Sequence, residues 1–161
     1  MSLRQIILLR HAHAEPAIGD QPDPARPLTA DGHNEASAAA DWLLAQQLRP
    51  ERIVCSPALR TRQTVTPLSR QLGESTVVTL DERVYEATPA SLIEILDEYS
   101  DTPCIVLVGH NPGLEGLLSL LTDGSSAGGR GMPPGSIAWL SIDSGKALEP
   151  GATTLHHFWS P

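Results

Sequence analysis

Positive charge is scarce in this chain. Eleven lysines and arginines face 19 aspartates and glutamates, a formal net charge of −8. That balance argues against nucleic acid or an anionic membrane as the main partner, because both recruit proteins through excess cations. Lysine is almost missing: apart from Lys146, every one of those bases is an arginine. Arginine suits bidentate binding of oxyanions, although a compositional bias towards Arg and Ala explains most of them. Long apolar runs are missing as well, and no segment approaches the ~20 apolar residues of a membrane span. Met1-Ser2-Leu3-Arg4-Gln5 runs straight into an apolar stretch, so we expect no signal peptide and a cytoplasmic protein. The two cysteines, Cys55 and Cys104, sit in apolar runs with no Cys-x-x-Cys and no obvious basic partner. They read as reduced core thiols and not as nucleophiles.

What the chain does have is 161 residues, 40% of them apolar, enough for one domain over 1–161 with a real core. The stretch that organises it is Ile6-Ile7-Leu8-Leu9-Arg10-His11-Ala12. Four large apolar residues predict a buried strand of a parallel sheet. The strand ends in a guanidinium and an imidazole, at the sheet edge where open α/β folds bind ligands. A cation beside a potential nucleophile points to an anionic substrate, most simply a phosphoryl group.

Residues 15–27 carry four prolines and are expected to form a loop without a helix. A helix follows over about 32–48, capped by Thr29 or Asp31, with Ala36, Ala39, Ala40, Leu43, Leu44 and Leu48 as its apolar stripe. Further strands are expected at 52–56, 76–80 and 104–108, with helices at 57–72, 90–99 and from 113 to about 121. A Gly/Ser/Pro loop spans 123–135, and strands at 136–142 and 153–159 can pair antiparallel. The alternation predicts an α/β fold: a three-layer α/β/α sandwich whose mostly parallel central sheet ends in an antiparallel C-terminal strand pair.

Three strand exits bear the chemistry: Arg10-His11, Ser56-Pro57-Ala58-Leu59-Arg60 and Gly109-His110-Asn111. Taken singly, Arg60 reads as a solvated helix residue and His110 as a turn residue. Their joint placement at the ends of apolar strands favours one shared site. Arg60, near a helix N-terminus, opposes the helix dipole, and a bound phosphate would compensate it.

These segments, in this order, resemble the histidine phosphatase superfamily, specifically its short SixA-type phosphohistidine phosphatases. Leu9-Arg10-His11-Ala12 resembles the opening Arg-His motif, with Ala12 at the usual glycine position. Ser56-Pro57-Ala58-Leu59-Arg60-Thr61-Arg62-Gln63-Thr64 resembles the Ser-Pro-x-x-Arg-x-x-Gln-Thr segment. Gly109-His110-Asn111-Pro112 and the Arg-Pro-Leu-Thr-x-x-Gly stretch from Arg26 to Gly32 complete the match. The resemblance implies a phosphoglycerate mutase-like fold with His11 as the nucleophile. It also implies that Arg10, His11, Arg60 and His110 bind the phosphoryl group, without cofactor or metal. Larger members carry an acid in a long insertion that this chain lacks. Glu86 is the candidate acid, with Glu82 and Asp81 as alternatives, while Arg26 and Asn111 are candidates for the substrate rim. The expected substrate is phosphohistidine on a signalling phosphotransfer protein, or a small phosphorylated molecule, with inorganic phosphate as product.

The other histidines say less. His13 is expected to start a loop, His33 to be exposed, and at most one of His156 and His157 to face the core. A metal site built from His11, His13, His110 and the His156-His157 pair lacks carboxylate or cysteine ligands at metal spacing. Two rivals remain: a general phosphomonoesterase of the same superfamily, which needs a working acid, and a non-catalytic phosphohistidine-binding module.

Overall fold

The computed structural model describes residues 2–127, 129 and 131–161. Met1 lies outside them, as do Gly128 and Arg130 of the expected loop at 123–135. The strands are β1 (Leu3–Arg10), β2 (Arg52–Cys55), β3 (Val77–Leu80), β4 (Cys104–Gly109), β5 (Ile137–Asp143) and β6 (Thr154–Trp159). The helices are α1 (Ala30–Ala45), α2 (Leu59–Leu72), α3 (Pro89–Glu98) and α4 (Gly113–Asp123). These strands join one sheet in the order β3-β2-β4-β1-β5-β6. Pairs β1·β4, β2·β4 and β2·β3 are parallel, whereas β1·β5 and β5·β6 are antiparallel.

The apolar run of β1 is continuous because both faces of the sheet are covered. Ile6 and Leu8 share one core with Leu92 and Ile95 of α3 and Leu114 and Leu117 of α4. Ile7 and Leu9, pointing the other way, share a second core with Ala39 and Leu43 of α1 and Val65 and Leu68 of α2. Burying each such Ile or Leu side chain contributes roughly 1.5–3 kcal/mol relative to leaving it exposed. The result is the three-layer α/β/α sandwich with an antiparallel C-terminal pair. Cys55 and Cys104 are buried and unpaired, and burial pushes both thiols up to about 12. Among the described residues, no helix is long and apolar enough to cross a membrane.

Several boundaries differ from the sequence expectation, each for a local reason. The Pro-rich loop is not wholly without helix: Asp23–Ala25 forms a single 3-10 turn. Helix α1 starts at Ala30, because Thr29 Oγ1 accepts the Gly32 N–H at 2.9 Å. It stops at Ala45 and not near Leu48, because Gln47 turns left-handed at φ 62° and sends Leu48 back into the core. Helix α2 starts two residues after Pro57, because Ser56 Oγ accepts the Ala58 N–H at 3.3 Å and Ala58 stays extended. Strand β3 is an outer strand and leaves Val77, Val78 and Leu80 exposed.

Gly32 has a steric role. A Cβ there would sit 2.1 Å from the His13 carbonyl oxygen, so only glycine lets α1 close onto the exit of β1. Gly32→Ala is expected to cost about 1–3 kcal/mol through overpacking against backbone that cannot rotate away. Urea unfolding checks this; a variant as stable as the parent contradicts the close approach.

Candidate active site

Register brings the three exits together. Arg10 pairs with Gly109 across β1·β4, and Cys55 pairs with Val108 across β2·β4. The ladder continues one residue further, with His11 N–H donating to Gly109 O and Ser56 N–H to Val108 O, both at 3.1 Å. His11, Ser56 and His110 therefore leave the sheet at nearly one level. The imidazoles of His11 and His110 lie 5.2 Å apart, and Tyr85 meets His110 edge-on at 5.4 Å. A cavity of about 600 Å³ opens here, lined by Asp23, Arg60, Tyr85, Glu86, His110 and Asn111 among others.

Each imidazole is fixed by its partner. His11 Nδ1 lies 2.7 Å from the Ala12 carbonyl oxygen, which can only accept, so Nδ1 carries the proton and Nε2 the lone pair. His110 Nε2 lies 2.8 Å from Ser56 Oγ, which accepts the Ala58 N–H and whose own proton has no other acceptor among the described residues. The Ser56 proton then goes to His110 Nε2, which leaves His110 Nδ1–H as a donor. That Nδ1 is buried without a protein partner among the described residues, as are Arg10 Nε, Arg60 Nε and Asn111 Oδ1. Buried polar groups rarely stay unpaired, so these three donors and one acceptor are candidate ligand contacts. Arg10 Nη1 is held by the Met132 carbonyl at 2.9 Å, and Asn111 Nδ2 by Met132 O at 2.9 Å and Glu115 Oε2 at 3.1 Å.

The motif residues behind the site are ties. Thr64 Oγ1 accepts the Ala12 N–H at 3.0 Å and donates to Arg60 O at 2.7 Å. Gln63 Oε1 accepts the Leu28 N–H at 2.8 Å, anchoring the Pro-rich loop to α2. Arg60, only 6% exposed, sits in the first turn of α2. Sequence reading leaves the anion that offsets this cation to a ligand; the structure already places one, the Asp23 carboxylate at 3.0 Å. Sequence reading also misses the site roles of Asp23, Ser56 and Tyr85. The Asp23–Arg26 spacing of three is the one available signal, and the two form an ion pair at 2.9 Å.

Of the three candidate acids, only Glu86 lines the cavity, from a left-handed backbone at φ 55°. Asp81 is engaged by Arg83, and Glu82 belongs to the short turn before Tyr85. Arg10, His11 and Arg26 do not line this cavity themselves; Arg26 Nε donates to Glu15 O at 2.7 Å and its Nη1 to Asp23 Oδ1 at 2.9 Å. His13 starts the loop and bonds Glu35 at 2.6 Å, while His33, His156 and His157 are exposed. Among the described residues, no three His, Cys, Asp or Glu are grouped to hold a metal ion. A larger cleft of about 780 Å³ lies at the opposite end of the strands, where Arg4 donates to the Leu96 and Tyr99 carbonyls.

The matched family model is the histidine phosphatase superfamily (branch 1), over residues 6–92. The chain belongs to that superfamily. An uncharacterised protein of Mycobacterium tuberculosis is 32% identical over 92% of this chain and 98% of its own length. The phosphohistidine phosphatase SixA of Escherichia coli is 27% identical, covering 98% and 94%. The crystal structure of a SixA-type protein of Agrobacterium tumefaciens superposes with a TM-score of 0.82 at 25% identity, covering 98% and 99%. This superfamily member is thus SixA-like in sequence and in its phosphoglycerate mutase-like fold.

Burial, with Arg60, Arg10 and Arg26 adding to it, pushes the His11 imidazole down from 6.5 to about 4. Burial, then Arg60 and His11, pushes His110 down to about 3. Both rings are neutral at pH 7. Between pH 6.5 and 4 the unfolded chain binds protons that the folded chain refuses, so stability falls as pH falls through that window. NMR titration of the two ring C–H signals is expected to give midpoints below pH 5; ordinary midpoints near 6.5 contradict the buried, cation-flanked setting.

Proposed function

We propose that this chain is a phosphatase that works through a phosphohistidine intermediate on His11, and that its substrate is phosphohistidine on a signalling phosphotransfer protein. The observation that carries this reading is the Ala12 carbonyl at 2.7 Å from His11 Nδ1, which reserves Nε2 as an unprotonated nucleophile. In the first step Nε2 bonds to phosphorus, the bond to the leaving nitrogen breaks, and that nitrogen keeps the electron pair. The leaving imidazole, protonated on its other nitrogen, departs as a neutral base. In the second step water attacks the phosphorus, its proton passes to solvent, and the N–P bond breaks to release inorganic phosphate and restore His11. Transition-state charge sits on the equatorial oxygens. Arg10, Arg60 and the Nδ1–H of His110 are the donors for them. The scheme uses neither metal nor cofactor.

An alkoxide, unlike an imidazole, leaves poorly unless protonated. Phosphohistidine hydrolysis therefore tolerates the missing insertion, and the E. coli relative, named a phosphohistidine phosphatase, supports the same substrate class. Glu86 at the cavity wall favours a second reading, a general phosphomonoesterase with Glu86 as its acid. Glu86→Gln separates the two. Under the first reading it spares turnover of a phosphorylated phosphotransfer domain and lowers turnover of aryl phosphates; equal loss on both substrates selects the second.

His11→Ala is expected to abolish turnover with the fold retained, and rapid quenching of the parent with labelled substrate to trap phosphate on His11. A chain that binds substrate but never labels is a binding module. Arg60→Ala is expected to lower kcat by about 10²-fold, as loss of a transition-state donor does. Activity lost to a chelator and restored by zinc overturns the metal-free scheme.

A further inference from the structure

Asp23 arrives at the cavity from the Pro-rich loop, 37 residues away from Arg60 in the chain. Arg60 Nη1 donates to its main-chain oxygen at 2.9 Å, and Nη2 donates to its Oδ2 at 3.0 Å. Tyr85 donates its hydroxyl proton to the same Oδ2. Arg26 Nη1 donates to Oδ1 at 2.9 Å. A guanidinium has five N–H donors in a rigid fork. Asp23 engages one on each terminal nitrogen and leaves the Nε edge untouched. Arg60 Nε is the atom that is buried without a protein partner among the described residues.

We propose that Asp23 is a positioning residue for phosphoryl transfer: it grips the two terminal nitrogens of Arg60 and thereby turns the Nε edge of the guanidinium toward the transferring phosphoryl group. The proposal rests on the phosphatase reading above. A long, flexible side chain fixed before substrate arrives loses little further freedom on binding. It also needs no reorganisation as charge develops on the phosphoryl oxygens. The alternative, that the Asp23 carboxylate is a stand-in anion which substrate must expel, fits the contacts less well. Expulsion would strip Tyr85 and Arg26 of their acceptor together with Arg60, three donors lost for one ligand gained. Asp23 therefore stays in place while phosphate comes and goes. Tyr85, sharing the carboxylate and standing edge-on to His110, couples this grip to the second histidine.

Asp23→Ala and Asp23→Asn test the proposal by three readouts: kcat and KM on a phosphorylated phosphotransfer domain, affinity for inorganic phosphate, and the Arg60 Nε–H signal in nitrogen-15 spectra. A mispositioned donor costs about 10- to 100-fold in rate, so Asp23→Ala is expected to lower kcat by that factor while KM moves far less. The Arg60 Nε–H signal, sharp in the parent and shifted by inorganic phosphate, is expected to broaden in Asp23→Ala. Asp23→Asn, which keeps the main-chain acceptor and one side-chain acceptor, is expected to recover most of the rate and the sharp signal. An unchanged kcat with an unchanged Nε–H signal in Asp23→Ala overturns the proposal. Faster turnover with tighter phosphate binding overturns it in favour of the stand-in anion. Equal losses in both variants overturn it as well, because they mark a need for negative charge and not for the grip. Should Asp23→Ala fail to fold, a parent-like Nε–H signal in Asp23→Asn together with a broadened one in Arg26→Ala, whose guanidinium braces Asp23 Oδ1, sustains it, and sharp signals in both overturn it. Absence of turnover in the parent defeats the phosphatase reading alone, because the phosphate-induced shift of Nε–H still reports the grip.

Discussion

Two hydrogen bonds carry the parallel ladder past the ends of its strands, from His11 N–H to Gly109 O and from Ser56 N–H to Val108 O. The rest of the site depends on them. They hold residues from three separate segments at one level of the sheet edge, so that His11, Ser56 and His110 meet without any help from a ligand. A slip of one residue in either pairing turns every side chain of the strand to the other face. That slip would draw Arg10 towards the apolar layer and exchange Ile6 and Leu8 with Ile7 and Leu9 between two differently packed cores. The hydrophobic cores on the two faces of the sheet thus enforce the geometry of the polar site at its edge.

Electrostatics at that edge is arranged around a tension. Two arginines stand near two imidazoles in a partly buried setting, and burial together with the arginines keeps both rings neutral. Neutrality is what a nucleophilic imidazole requires. The arginines in turn need counter-charge: Asp23 supplies part of it, and the Tyr85 hydroxyl, followed by Arg26 and Arg60, holds its carboxyl well below the usual range. Asp23 therefore stays ionised and cannot serve as a proton donor near neutrality. Glu86 is the other carboxylate on the cavity wall.

Much of this is legible in the sequence, because strand ends are easy to place. Continuous apolar runs ending in Arg10-His11, Ser56 and Gly109-His110 predict a parallel sheet with a polar edge, and the α/β/α layering follows from the alternation of runs and amphipathic stretches. Asp23 is not legible, because its loop reads as proline punctuation and its partner lies on a distant helix. Ser56 and Thr64 stand in the sequence only as letters of a motif; their hydrogen bonds to His110 and Ala12 depend on tertiary register. The β-branched residues of β3 predict a strand but not its place at the sheet's outer edge, since propensity reports fit to a pleated surface and not strand order. No local signal marks the end of α1, where an ordinary glutamine takes a left-handed turn.

On the proposed function, distant segments form one oxyanion pocket with His11 Nε2 facing its occupant. A crystal structure with orthovanadate, which mimics the five-coordinate phosphorus, tests it most directly. Vanadium is expected to bond to His11 Nε2, with equatorial oxygens on Arg60 Nε, His110 Nδ1 and Arg10. Vanadate in the cleft beside Arg4 and Lys146, or bound with His11 Nε2 turned away from it, rules this pocket out.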